Sequence, residues 1–116
     1  MSARPDAMAH FREVACGVLG SEHCYPGVQR GLAFPSVVYH AVGQDALTTL
    51  DGPSQTGTAI RFETRAHGYG EAVALSAAVL AKLQRAGRTT QLLSLVDDYD
   101  EEINIHRRIR SVMVRH

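Results

Sequence analysis

A chain of 116 residues, 45% hydrophobic and 21% charged, has enough apolar content to bury one core and too little length for a second, which suits a globular rather than a disordered protein and predicts a single domain over residues 1–116. Its 12 Lys and Arg balance 12 Asp and Glu, so overall charge offers no attraction for nucleic acid or an acidic membrane. Trp is absent and aromatic residues make up 6%, which argues against a stacking platform for bases or sugars, and no apolar run approaches the ~20 residues of a membrane span.

In chain order, the first element is a helix over Asp6 to Leu19. Pro5 and Asp6 suit its start, and Met8, Phe11, Ala15, Val18 and Leu19 recur at helical spacing to form an apolar stripe. Gly20 is placed to end it in a left-handed turn. The N-terminal residues Met1 to Asp6 lack the apolar core of a signal peptide, so a cytoplasm, or release from one by lysis, is expected. Cys16 and Cys24 have the spacing of neither a redox pair nor a zinc knuckle, and two free thiols in a reducing compartment are expected.

Ser21 to Pro35 reads as a connector, with a turn at Pro26-Gly27. Ser36 to about Gln44 is β-branched and nearly all apolar, which predicts a central strand that Leu47 to Leu50 continue after a kink. Asp51 to Gly57 is rich in turn formers and predicts a polar loop at the tip of an antiparallel hairpin.

Thr58 to Ala66 alternates strictly. Ile60, Phe62, Thr64 and Ala66 share one face, while Arg61, Glu63 and Arg65 share the other, as in a sheet with one buried face. A helix follows from Glu71 to about Arg85, with Ala72, Leu75, Ser76, Val79 and Leu83 along one side. Such a helix is built to cover the apolar face of the strand before it. Its far side carries Ala74, Ala78 and Ala81, which fits either close approach of another element or simple helix propensity.

Gln91 to Val96 reads as a short strand, Asp97 to Glu102 as an acidic turn, and Ile103 to Val114 as a last strand. There Ile105, Arg107, Ile109, Ser111 and Met113 alternate with His106, Arg108, Arg110, Val112 and Val114. The expected fold is α+β, an antiparallel sheet of about four strands with two helices on one face, in the order α-β-β-α-β-β.

No catalytic or metal constellation is legible. The six histidines form no H-E-x-x-H spacing, His23 beside Cys24 lacks a third ligand, and no phosphate-binding glycine loop appears. Asp97 to Glu102 lacks the Asp-x-Asp-x-Asp-Gly spacing of a calcium loop. No cofactor is expected. The informative feature is charge: the acids Asp97, Asp98, Asp100, Glu101 and Glu102 stand beside Arg107, Arg108 and Arg110, with Arg61 and Arg65 on the polar face of the second strand. Three readings are open. The charges form ion pairs within the chain, or join the acidic edge of one copy to the basic face of the next around a ring, or turn some arginines toward DNA phosphates.

Tyr25-Pro26-Gly27-Val28, Gln29-Arg30-Gly31 and Phe34-Pro35-Ser36-Val37-Val38-Tyr39 resemble the opening of small tail completion proteins of long-tailed phages. Leu50-Asp51-Gly52, the alternating strand ending at Ala66, and Tyr69-Gly70-Glu71-Ala72 leading to Leu75 and Val79 continue the likeness, which covers residues 24–86. This is the family of tail terminators, or head-tail joining proteins, with similar members in prophages and gene transfer agents.

The resemblance implies a structural virion protein that forms a homo-hexameric ring on the tail tube. Such a ring stops tube polymerisation and joins tail to head connector, and DNA passes through it without sequence reading. It implies the tail tube protein and the connector as partners. The resemblance carries over no individual contact residue. The chain's own charge pattern and composition offer Asp97, Asp98, Asp100, Glu101, Glu102, Arg107, Arg108 and Arg110 as a subunit interface, Arg61, Glu63 and Arg65 as a lumen or charged sheet face, and Asp51, Gly52, Pro53, Ser54 and Gln55 as a docking loop. The competing reading is a small α+β ligand-binding domain or enzyme with a site between helix and sheet.

Overall fold

The computed structural model describes residues 3–20, 23–29, 31, 33–49, 52–87 and 89–115. Two helices and five strands follow one another as α1 (Ala3–Leu19), β1 (Cys24–Pro26), β2 (Ser36–Thr49), β3 (Gly52–Ala66), α2 (Tyr69–Arg85), β4 (Thr89–Asp100) and β5 (Ile105–Arg115). The strands form one sheet in the order β1-β2-β3-β5-β4. The α+β class is as expected, but the sheet is mixed and has five strands. The extra strand is β1, which lies within the expected connector and runs parallel to β2, with Cys24 opposite Val37 and Pro26 opposite Tyr39. Three residues are too few to show a period, so only the pairing partner reveals such a strand.

The core lies between the helices and one sheet face. The alternation of β3 places Ile60 and Phe62 there, both fully buried, and its partners on the same face are Ala41 and Tyr39 of β2 and Val112 and Arg110 of β5. From above, α1 contributes Phe11, Ala15 and Cys16, and α2 contributes Leu75, Val79 and Leu83. The buried residues of α2 are the five that its sequence spacing selects, Ala72, Leu75, Ser76, Val79 and Leu83. Phe11 is the keystone, its ring centroid 4.9 Å from that of Tyr39 and 5.3 Å from that of Phe62. Buried Thr64 donates from Oγ1 to the carbonyl of Ala72 at 3.0 Å, tying the first turn of α2 to the strand beneath it.

The cysteines are not free thiols, as the sequence suggested, but are bonded to each other with their Cα atoms 5.4 Å apart. Cys16 sits near the end of α1 and Cys24 on β1, and both are buried. The parallel pairing of β1 with β2 brings Cys24 back under the helix, a juxtaposition that a separation of eight residues does not announce.

The hairpin of β2 and β3 is longer than its composition indicates. Pairing runs from Ser36 opposite Arg65 to Thr49 opposite Gly52, with register shifts between Ala41 and Gly43 and between Leu47 and Thr48. Gly52, Pro53, Ser54 and Gln55 therefore lie in a strand rather than a loop; Asp51 falls outside the described residues. The reason is positional. The pairing of β5 with β3 stops at Gly57, so the outer part of β3 is an edge, where Pro and Gly are tolerated.

The acidic run is likewise strand for four of its six residues. β4 continues through Asp100, and the turn is confined to residues 101–104, where Asn104 takes a left-handed φ of 55°. Asp97 stands opposite Arg108 and Asp98 opposite Arg107. Opposite charges facing each other across an antiparallel pair make a strand favourable for residues that otherwise prefer turns. Among the described residues no helix is long and apolar enough to cross a membrane.

Candidate functional site

Strand period distributes the arginines over both sheet faces. Arg108 and Arg110 lie opposite Thr64 and Phe62 and share the helix-covered face, whereas Arg107 lies opposite Arg65 on the reverse face. Arg108 grips Asp97 with a two-pronged contact, Nε to Oδ1 at 2.8 Å and Nη2 to Oδ2 at 3.1 Å. On the reverse face Arg107 pairs with Asp98. The third, Arg110, turns under α2, where its Nε donates to Ser76 Oγ at 2.9 Å. Asp97, Asp98, Arg107 and Arg108 thus form ion pairs within the chain. Asp100, Glu101 and Glu102 have no cationic partner among the described residues; the Asp100 carboxylate instead accepts from the backbone N–H of Glu102 at 3.0 Å.

The charge states follow from these contacts. The hydrogen bond from Arg108 holds the Asp97 carboxyl below its ordinary value of 3.8, with a further contribution from the Tyr69 hydroxyl. The same bond raises the Arg108 guanidinium, while burial lowers that of Arg110. A depressed carboxylate pKa contributes stability above its unfolded value, and that contribution is lost as pH falls through the folded value. Asp97→Asn is therefore expected to destabilise the fold at neutral pH by less than about 1 kcal/mol, because the pair is solvent-exposed. The difference from wild type should shrink as pH falls below 3.8. Urea melts of the two proteins at pH 7 and at progressively lower pH check this.

Aromatic groups complete the edge, and charge counting alone passed over them. Tyr69, the first residue of α2, donates from its hydroxyl to Asp97 Oδ2 at 3.1 Å. The His106 ring lies between Tyr69 and Tyr99, with centroid distances of 5.8 Å and 4.6 Å. With Asp97, Asp98 and Glu101 these rings line an open cleft of about 360 Å³. Nearby, Leu95, Val96, Tyr99 and Ile103 are 37–53% exposed. The signal in the sequence was Tyr99 within an acidic run, together with Leu95 and Val96 on opposite faces of an edge strand.

Arg61, Glu63 and Arg65 lie on the reverse face of the sheet. Arg61 is exposed. Arg65 pairs with Glu63 at 2.7 Å and reaches Gln29 Oε1 at 3.3 Å, and Ser36 Oγ donates to the same Gln29 oxygen at 2.7 Å. The network ties the loop after β1 to the starting end of β2 and the finishing end of β3. Side chains of residues 52–55, expected to dock a partner, lie outside the described set.

A second cleft, of about 510 Å³, opens between the helices at the far end of α2, lined by His10, Glu13 and Gly17 of α1 and by Lys82 and Arg85 of α2. Among the described residues no group of three or more His, Cys, Asp or Glu is arranged to hold a metal ion.

No protein-family model matches the chain, and no curated protein matches it. Among solved structures, a chain in the virion of a native gene transfer agent (GTA) particle is similar over 94% of this chain and 90% of its own length, with a TM-score of 0.56 and 19% identity. At that identity the likeness is one of fold.

Proposed function

We propose that this protein is a structural component of a virion and acts without chemistry of its own, a reading supported by the fold it holds in common with a chain of a gene transfer agent virion over nearly the full length of both. In the finer reading it is a tail terminator. Copies close into a homo-hexameric ring at the head-proximal end of the tail tube, stop the tube from growing, and present a second surface to the head connector. DNA crosses the lumen without sequence-specific contacts.

The observation that carries this reading is the likeness in fold, with the order and spacing of the motifs from Tyr25 to Val79 in support. The exposed edge strand β4 adds a physical argument. It offers unpaired backbone groups beside Leu95 and Val96, which are 47% and 53% exposed, and such an edge invites a partner strand or surface. The hairpin of β2 and β3 is long, with strands of 14 and 15 residues, and its tip would contact the tube or the connector.

The test is tube growth. Tail tube subunits polymerising in the presence of this protein should give shorter tubes with a ring visible at one end by electron microscopy. Tubes of undiminished length with bare ends would contradict the terminator role.

A further inference from the structure

The charges of this chain cancel in total but not in place. Helix α2 separates two oppositely charged ends. Tyr69 opens the helix beside the acidic cleft, and Lys82 and Arg85 stand in its last turn. Sixteen residues at 1.5 Å each place the two ends about 24 Å apart.

At the first end the two ion pairs occupy Asp97 and Asp98. Glu101 lines the cleft without a cationic partner among the described residues, and Asp100 and Glu102 flank it in the chain, so this end is negative. Its walls are the rings of Tyr69 and Tyr99, half-exposed at 50% and 44%. Aromatic faces next to carboxylates attract a cation with an alkyl stem: the ring quadrupole and the carboxylates draw the charge, and the stem covers the rings. At the second end Lys82 and Arg85 are both exposed. Neither forms an ion pair among the described residues, and of the acids Glu13 shares that cleft with them.

We infer that the cleft of Tyr69, Tyr99, Glu101 and His106 receives the Lys82 and Arg85 end of α2 from a second copy of this chain. The two surfaces are different and lie at opposite ends of one helix, so the contact is head-to-tail. A head-to-tail contact repeats from copy to copy and generates a ring if its rotation closes. The inference rests on the ring reading and assigns it a contact. It also departs from the acid-to-arginine interface suggested by the sequence: Arg107 and Arg108 are held by acids of their own chain, and Lys82 and Arg85 stand at the other end of α2.

Charge exchange tests it. The chain alone is examined by sedimentation and native mass spectrometry, with circular dichroism confirming the fold of each variant. Glu101→Lys with Glu102→Lys should raise the concentration needed for half-assembly at least tenfold, and Lys82→Glu with Arg85→Glu should do the same. Mixing the two variants should give assembly, because each then offers a complementary end to the other. Their mixture joins only one of the two alternating contacts in the native sense of geometry, so the quadruple variant, with every contact reversed, should recover rings of wild-type mass. If wild type forms rings and both pairs of substitutions leave them unchanged, or if the folded quadruple variant does not recover assembly, this contact is wrong and the ring reading stands. Wild type that stays monomeric at every concentration overturns both.

Discussion

Replacing Phe62 with alanine is expected to cost about 3–5 kcal/mol of stability, the range for removing a buried aromatic ring from a packed core. Phe62 is fully buried at the centre of β3 and stacks with Phe11 of α1, which in turn touches Tyr39 of β2. Helices and sheet meet through this cluster, so the cavity would adjoin α1 and two strands at once. A small domain has about 5–15 kcal/mol of stability in total, so the variant should be close to unfolding at 37 °C. Urea melts followed by circular dichroism measure the loss. A change under 1 kcal/mol would mean that the helices are not seated on this face.

Removing the disulfide should have the next largest effect. Cys16 and Cys24 enclose a separation of eight residues, for which chain entropy predicts about 2–3 kcal/mol. Alanine at both positions, rather than serine, avoids burying hydroxyl groups where the cysteines are 7% and 3% exposed. The loss should concentrate on β1, which pairs only with β2 at the edge of the sheet. Hydrogen exchange should therefore show faster opening of Tyr25 and its β2 neighbours, with α2 and β5 little changed. Equal stability of the oxidised and reduced proteins would show that the bond only decorates contacts already made.

The parts of the fold that could be read from the sequence are those where period and burial agree. β3 alternates because one face meets two helices and the other meets solvent, and α2 shows its five buried residues because a single helical stripe faces the sheet beneath it. Where composition spoke for a turn and pairing overruled it, the reading failed. Gly52 to Gln55 are turn formers, yet they lie in an edge strand held by β2; Asp97 to Asp100 are acidic, yet arginines wait opposite two of them. The disulfide was hidden for the same reason, since only the parallel pairing of β1 carries Cys24 back to α1.

The candidate site was half legible. Its acids and arginines stand out by density, but which of them pair depends on register, and register joins Asp97 to Arg108 and Asp98 to Arg107. Tyr69 and His106 reach the same cleft from α2 and β5. No spacing within a single segment could bring them together, because the crossing of α2 over the sheet does so.

That this chain works by assembling around an axis is most directly tested by its mass in solution at concentrations from micromolar upward. The account predicts a single closed species of six copies in equilibrium with monomer, destabilised by salt because oppositely charged ends hold it together. A monomer that persists across the whole range, or open-ended filaments of no fixed size, would contradict it.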